Sequence, residues 1–222
     1  MITLERQPLL MVVSAPSGAG KTTLCDRLVT EFDCITYSVS CTTRAPREGE
    51  IDGKSYYFLS QPEFDQRVEK GEFLEHALVH GNRYGTLKET VHEALEAGRD
   101  VLMDIDVQGA AQIRRFVQEG PDNEWIRDIY VDIFIAPPSM HDLQLRLWGR
   151  GKDEQEVIQR RLVRAQEELQ CWRDYQYVIV NDRLDDSYHA LRCILFAERH
   201  RVRRFSPLHD STEQKSDKRT YA

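Results

Sequence analysis

The apolar run Leu9-Leu10-Met11-Val12-Val13 leads straight into Ser14-Ala15-Pro16-Ser17-Gly18-Ala19-Gly20-Lys21-Thr22-Thr23, after which Leu24, Leu28 and Phe32 recur at helical spacing. A buried strand, a glycine-bearing turn and a helix in that order restrict the chain to folds in which strands feed crossover helices. Gly18 and Gly20 permit dihedrals that turn successive N–H groups toward one point, and a helix N-terminus adds positive potential there. The segment Ala15, Pro16, Ser17, Gly18, Ala19, Gly20, Lys21, Thr22 and Thr23 therefore reads as an anion cradle. Lys21 is expected to reach the β- and γ-phosphates of ATP, and the Thr22 hydroxyl to complete the shell of a Mg²⁺ otherwise ligated by water and phosphate. The pattern G-x-x-x-x-G-K-[ST] departs at its first position, where Ala15 replaces glycine. A glycine-rich turn without a ligand is the bland alternative, opposed by Gly20-Lys21-Thr22 in a strand–loop–helix setting.

The same alternation continues along the chain. Leu9 to Ala15, Ile35 to Ser40, Val101 to Ile105, Val131 to Ile135 and Tyr177 to Val180 read as strands between helical patterns, which predicts a parallel sheet with helices on its faces. Thr86 with Glu89, and Ser139 with Asp142, have the spacing of helix-starting capping pairs. The stretch 153–175 reads as a long helix with Val157, Leu162, Val163, Ala165 and Leu169 available to pack and its many charges solvated. Residues 118–128 read as a surface excursion, and 206–222 as a polar, frayed tail.

The 222 residues suffice for one α/β domain with insertions, and a charged fraction of 30% suits a globular chain. No apolar run is long enough to span a bilayer, and the N-terminal one lacks a cleavage signal, so the expectation is a cytoplasmic protein without a membrane partner. The five cysteines are irregularly spaced, which argues against a disulfide framework or zinc site. A net charge of -7 argues against a nucleic-acid partner. A phosphate ligand must then meet a local basic cluster.

The segment from Ser38 to Phe58 offers one: Arg44 and Arg47 could present forked donors to a phosphate, with Tyr56 and Tyr84 adding hydroxyls. A basic loop salt-bridged to Glu48 and Glu50 explains the same spacing equally well. Asp104 and Asp106 follow Val101-Leu102-Met103, which places carboxylates at the carboxyl edge of a parallel sheet, where α/β ligands bind, or where they cap the next helix.

Taken together, these segments resemble the guanylate kinase family. The resemblance runs through the glycine-rich loop, Ser38-Val39-Ser40, Thr42-Thr43-Arg44-Ala45-Pro46-Arg47, Gly49-Glu50, Gly53-Lys54, Tyr56, Glu72-Phe73-Leu74-Glu75 and Tyr84-Gly85-Thr86. It continues through Asp104 to Gly109, Ile135 to Ser139, Arg146, Gly149-Arg150-Gly151 and Val180-Asn181-Asp182, covering roughly residues 9–200. It implies a three-layer P-loop nucleoside monophosphate kinase fold spanning 8–200, with a GMP-binding insertion near 38–92 and a lid near 140–165.

The implied activity is transfer of the γ-phosphoryl group of ATP to GMP, and to dGMP, with Mg²⁺. Ser40, Glu75 and Thr86 would read the guanine with Asp106 nearby, and Gly85 would lie beside them. Arg44, Arg47, Tyr56 and Tyr84 would hold the GMP phosphate, with Glu50 in the same segment. Asp104 would orient the magnesium's water shell. Arg146, Arg150 and Arg161 would stabilise the transferring group from the lid, and Asn181 would lie on the ATP side. Lys152 stands where relatives often carry threonine, and His76, His80 and His92 have no implied role.

Chemically, guanine's N1–H and N2–H₂ are donors that one carboxylate can accept together, whereas adenine would face it with an acceptor. The competing readings are a P-loop kinase for another phosphorylated acceptor and a non-catalytic guanylate kinase-like binding module. The Ser40, Glu75, Thr86 set opposes the first, and the intact Lys21 with its arginines opposes the second.

Overall fold

In the computed structural model, residues 3–79, 81–119, 123–149 and 155–207 are described. A short strand β1 (Leu4–Arg6) precedes β2 (Leu10–Ser14), whose five residues are all buried, and the glycine-rich loop then delivers α1 (Lys21–Glu31). The chain returns through β3 (Ile35–Tyr37) and enters an insertion: β4 (Cys41–Thr42), β5 (Tyr57–Phe58), α2 (Gln61–Glu69), β6 (Phe73–Val79) and β7 (Asn82–Leu87). Helix α3 (Lys88–Glu96) leads to β8 (Asp100–Asp104), α4 (Val107–Glu119), α5 (Glu124–Arg127) and β9 (Tyr130–Ala136). The last third holds α6 (Met140–Gly149), α7 (Gln155–Leu169), a 3₁₀ turn at Gln170–Asp174, β10 (Tyr177–Val180), α8 (Leu184–Arg199), a second 3₁₀ turn at Val202–Arg204, and β11 (Phe205–Pro207).

The core is a five-stranded, wholly parallel sheet in the order β10-β9-β2-β8-β3. Because successive side chains of a strand point to opposite faces, β2 supplies two cores at once. Met11 and Val13 pack with Leu102, Ile133, Leu24 and Leu191 under α1 and α8. Leu10 and Val12 pack with Val101, Met103, Ile113 and Ile126 under α3, α4 and α5. The expected three-layer α/β architecture is therefore present, and all five core strands lie where the apolar runs place them, within two or three residues at each end.

The insertion forms its own sheet, β5-β4-β7-β6, over a small cluster of Cys41, Phe64, Phe73 and Leu87. Its helix α2 begins at a capping box, with Ser60 and Glu63 satisfying each other's backbone N–H groups. The edge strand β6 is joined to the main body by Gln112 of α4, whose amide accepts from the His76 N–H at 3.0 Å and donates to its carbonyl at 2.8 Å. Helices α6 and α7 share a separate apolar cluster of Leu143, Leu147, Ile158 and Ala165, so they pack as a unit of their own.

Several local expectations change. Ser139 does cap α6, accepting from the Asp142 N–H at 3.0 Å, but Thr86 caps nothing: α3 starts at Lys88 after Leu87, and Thr86 lies in β7 facing Glu75. On α7 it is Ile158, with Ala165, that is buried, while Val163 is 60% exposed. The stretch 118–128 is more than an excursion. Asn123 is buried and its amide donates to the Phe116 and Val117 carbonyls that end α4, and α5 buries Ile126; residues 120–122 lie outside the described ones. Ser206 and Pro207 are not frayed but belong to β11, which pairs antiparallel with β1, so the ordered chain extends past both ends of 8–200. The rest of the predicted tail, 208–222, lies outside the described residues.

Candidate active site

The glycine-rich loop is built as its residue types require. Gly18 and Gly20 sit at φ +96° and +92°, in the left-handed region. Both also lie where no side chain fits. A Cβ on Gly20 would meet Asn181 Nδ2 at 2.3 Å, and one on Gly18 would meet Leu147 Cδ2 at 2.9 Å. Asn181 thus buttresses the loop from across the sheet, donating from its amide to the Ala19 carbonyl at 2.7 Å. The side chain thereby holds the turn between Gly18 and Gly20.

At the end of the loop Lys21 and Thr22 converge on one carboxylate. The Lys21 ammonium is in ion contact with Asp104 Oδ1, and Thr22 Oγ1 donates to Asp104 Oδ2 at 2.9 Å. Burial pushes the Lys21 ammonium down to about 8, against the pull of Cys25, Asp106 and Glu168, so it keeps its proton at neutral pH. A hydroxyl beside a carboxylate, both aliphatic-chain oxygen donors, is a donor set suited to a hard cation that retains most of its water. Among the described residues no three acidic, histidine or cysteine side chains cluster as a resident metal site.

Ser40, Glu75 and Thr86, the trio expected to read guanine, meet by strand register. Pairing of β6 with β7 sets Glu75 opposite Thr86, and Thr86 Oγ1 donates to Glu75 Oε1 at 2.8 Å. Ser40 Oγ lies 3.4 Å from Thr86 Oγ1. Glu75 is 5% exposed. Burial, opposed by the Thr86 bond and reinforced by Asp106, pushes its carboxyl up to about 7.

Two glycines make room for this arrangement. A Cβ on Gly109 would come within 2.8 Å of Glu75 Oε2, and one on Gly85 would strike the Glu75 carbonyl and the Phe73 ring, each at 2.9 Å. Gly85 therefore serves the packing beneath the trio. Asp106 takes the helix-capping role: Oδ1 caps α4 by accepting from the Gly109 N–H at 2.9 Å, while buried Oδ2 accepts no hydrogen bond among the described residues.

The cluster expected on the phosphate side is also assembled, and in it the basic loop is salt-bridged as the alternative had it, through Glu50. Glu50 grips Arg44 with both oxygens, at 2.8 and 3.1 Å, and accepts from the Arg47 N–H at 2.7 Å. Arg44 in turn lies 5.4 Å from the centroid of the Tyr56 ring, which packs edge-on to Tyr84. Glu50 thus orients one guanidinium and pins the loop, and Arg47 extends from it, exposed. Arg44 is held above its usual range chiefly by its hydrogen bond to Glu50.

Some of these groups line two adjoining clefts. One, about 350 Å³, runs from the glycine-rich loop to Asp106. The other, about 420 Å³, lies between Ser40, Tyr56 and Thr86. Thr22, Asp104 and Ile105 belong to both, so the two open onto each other at the carboxylate that Lys21 and Thr22 address.

From the α6–α7 unit, Arg146 donates to the Asn181 carbonyl at 2.8 Å and Arg161 to Ser17 Oγ at 2.6 Å. Both therefore reach the loop or its buttress. Arg150, Lys152 and His80 lie outside the described residues. His76 packs edge-on to Phe64 and His92 edge-on to Trp125, away from both clefts. Arg164 and Glu168, unforeseen from the sequence, also line the first cleft. Their signal was their spacing: Arg161, Arg164 and Glu168 recur at three and four residues and so share one helical face.

Comparison with known proteins agrees with this geometry. The family model for guanylate kinase matches residues 7–198. The guanylate kinase of Cereibacter sphaeroides is 48% identical over 207 residues, covering 93% of this chain and 94% of that protein. That of Clostridioides difficile is 44% identical over 200 residues, covering 90% and 93%. Among solved structures, guanylate kinase from Anaplasma phagocytophilum aligns with a TM-score of 0.69 at 34% identity, covering 91% of this chain and 92% of that one. With the match extending through both clefts and the sheet that carries them, the chain belongs to the guanylate kinase family.

Proposed function

We propose that the chain transfers the γ-phosphoryl group of ATP to GMP, yielding ADP and GDP. The observation that carries this reading is the meeting of the two clefts at Asp104 and Thr22, with a phosphate cradle on one side and, on the other, Thr86 hydrogen-bonded to the guanine-matching carboxylate of Glu75 behind it. The donor's phosphates would lie against the loop N–H groups of residues 15–23 and Lys21. The acceptor's phosphate would lie against Arg44, Arg47, Tyr56 and Tyr84, aimed at the shared opening.

Phosphoryl transfer leaves little covalent work to the protein, since charge spreads over the γ-phosphoryl oxygens and catalysis rests on positioning and electrostatics. The acceptor oxygen belongs to a phosphate already anionic near neutral pH, so no side-chain base is required. Lys21 and Arg161, with Arg146, supply the positive charge, and the family resemblance adds Arg150. Mg²⁺, arriving with ATP, would neutralise the β- and γ-phosphate oxygens; Thr22, and Asp104 through water, are the groups that would hold it. Closure of α6 and α7 over the loop would exclude water and limit wasteful hydrolysis. No helix among the described residues is long and apolar enough to cross a membrane; the reading implies a cytoplasmic enzyme of purine nucleotide metabolism, acting on free nucleotides.

The test is ADP release with ATP and Mg²⁺ in the presence of GMP, dGMP, AMP, CMP or UMP. Turnover is expected with the guanine acceptors, and Lys21→Ala is expected to lower kcat by roughly a hundred- to a thousandfold, the cost of removing one preorganised donor to the transition state. GMP binding without turnover would mean a binding module, and turnover with another acceptor alone would move the activity elsewhere.

A further inference from the structure

The glycine-rich loop and the guanine-reading carboxylates are joined by a line of charged contacts through α7. Glu168 lies against the loop, where a backbone hydrogen bond from Ser17 helps to offset the cost of its burial. Its Oε1 accepts from Arg164 Nε at 3.0 Å. The other end of the same guanidinium, Arg164 NH2, stands 3.7 Å from Asp106 Oδ2, the buried oxygen that lacks a hydrogen bond among the described residues. Asp106 also faces Lys21 on one side and Glu75 on the other, each of which feels its charge.

A separation of 3.7 Å is inside ion-pair range but beyond hydrogen-bond reach. Because Arg164 of α7 and Asp106 line the same cleft, a small approach of α7 toward Asp106 would close that gap of under an ångström. The helix is equipped to move as part of a body, because α6 and α7 share an apolar cluster separate from the main core. Leaving a buried carboxylate oxygen unpaired is costly, and supplying its partner is correspondingly favourable.

We propose that Arg164 is a positioning residue that couples the two clefts: when α7 closes over ATP, its ion contact to Asp106 becomes a hydrogen bond, which fixes the carboxylate wall that guanine docks against. This rests on the GMP kinase reading above and adds to it a residue and a direction of coupling. By reciprocity, guanine seated at Glu75 and Asp106 favours the closed α7, so ATP is committed only when the acceptor is present.

Steady-state kinetics on the full chain test it, using Arg164→Gln, Arg164→Lys, Asp106→Asn and the Arg164→Gln/Asp106→Asn pair, with ADP release measured with and without GMP. Arg164→Gln is expected to raise the KM for GMP at saturating ATP about tenfold, within the range of ordinary coupling between sites, and by the same reciprocity to weaken ATP more in the presence of GMP than in its absence. Arg164→Lys is expected to recover part of the loss, and Arg164→Gln is expected to add less than about twofold in the Asp106→Asn background. The share of ADP released without GMP should rise in Arg164→Gln. An unchanged KM for GMP, an ATP affinity weakened equally with and without GMP, or a full effect of Arg164→Gln when Asp106 is already Asn would overturn the coupling role. The wild type separates this from the underlying assignment: if it fails to phosphorylate GMP, the function is wrong, whereas normal wild-type turnover with any of those three outcomes removes only Arg164.

Discussion

Glu75→Gln is expected to make the protein more stable and a far poorer judge of its substrate. The carboxyl's pKa rises from 4.5 to about 7 on folding because it is buried, so the folded state holds its proton more tightly than the unfolded chain. Its ionisation therefore costs nothing below pH 4.5, costs progressively more up to pH 7, and costs about 3 kcal/mol above that. An amide of the same shape removes the penalty while leaving an oxygen for the Thr86 hydroxyl. At pH 8 the variant should melt several degrees above the wild type, roughly 2–4 °C per kcal/mol for a chain of this size, and the gap should close as pH falls toward 4.5.

The same change turns one acceptor oxygen into a donor facing guanine's own donors. A site built to hydrogen-bond its substrate can discriminate by about 10⁴, so the ratio of kcat/KM for GMP over AMP is expected to fall by roughly a thousandfold or more. Because only the ionised carboxylate accepts both guanine hydrogens, the wild-type KM for GMP should climb as pH drops below 7, beyond what the substrate phosphate's own protonation causes. Glu75→Gln should keep only the phosphate's contribution. Wild-type and variant melting curves that coincide at pH 8, with GMP selectivity intact, would show that Glu75 is neither strained by burial nor in contact with the base.

Arg204→Ala is expected to be the most destabilising single substitution away from the clefts. Arg204 is fully buried, and so is Glu198, whose carboxylate takes its NH2 group; Nε donates to the Glu198 carbonyl at 2.7 Å and NH1 to the Asp128 carbonyl. One side chain thus ties the end of α8, the turn before β9 and the β1–β11 pair, where the Arg204 carbonyl accepts from Gln7. Truncating it leaves Glu198 charged and buried with Tyr177 and Arg201 as its remaining partners. Breaking such a pair costs about 3–5 kcal/mol, or a drop of about 10 °C in Tm.

The clefts lie at the opposite ends of the strands, so kcat at 15–20 °C should stay near that of the wild type. Arg204→Met with Glu198→Gln, which removes both charges, should recover much of the loss. A Tm within about 2 °C of wild type for Arg204→Ala would mean that the buried pair contributes little.

What could be read from the sequence follows from how local each signal was. The five core strands were legible because strands buried on both faces are continuous apolar runs, and the glycine-rich loop because its strand, turn and helix are consecutive. The three-residue β1 and β11 were not, since Leu4-Glu5-Arg6 and Phe205-Ser206-Pro207 carry no pattern and gain order only by pairing across the chain. Thr86 looked like a cap because its spacing to Glu89 fits one; register with β6 decided otherwise. The grouping of Ser40, Glu75 and Thr86 depends on that register, and came from family resemblance rather than from spacing. Asn181 and Gly109 owe their roles to approaches of under 3 Å between distant segments, which no local pattern encodes. Arg164 and Glu168 were hidden in a helix whose charges all looked solvated.

The position of β2 has a consequence for how the protein is made. It is among the first strands to be synthesised, yet it is the centre of the sheet: its neighbours β8 and β9 begin about 90 and 120 residues later. At ribosomal rates of about 5–20 residues per second, the nascent chain carries Leu10 to Ser14 without either partner for on the order of ten seconds. Only the adjoining α1 and, just before β8, α3 pack on it from segments made in that interval. Such non-local pairing slows folding and exposes a strand with two apolar faces to other chains. The loop that the enzyme depends on is thus anchored to the strand of its own sheet that waits longest for its partners, and its phosphate cradle takes shape only after β9 and the Asn181 buttress have emerged.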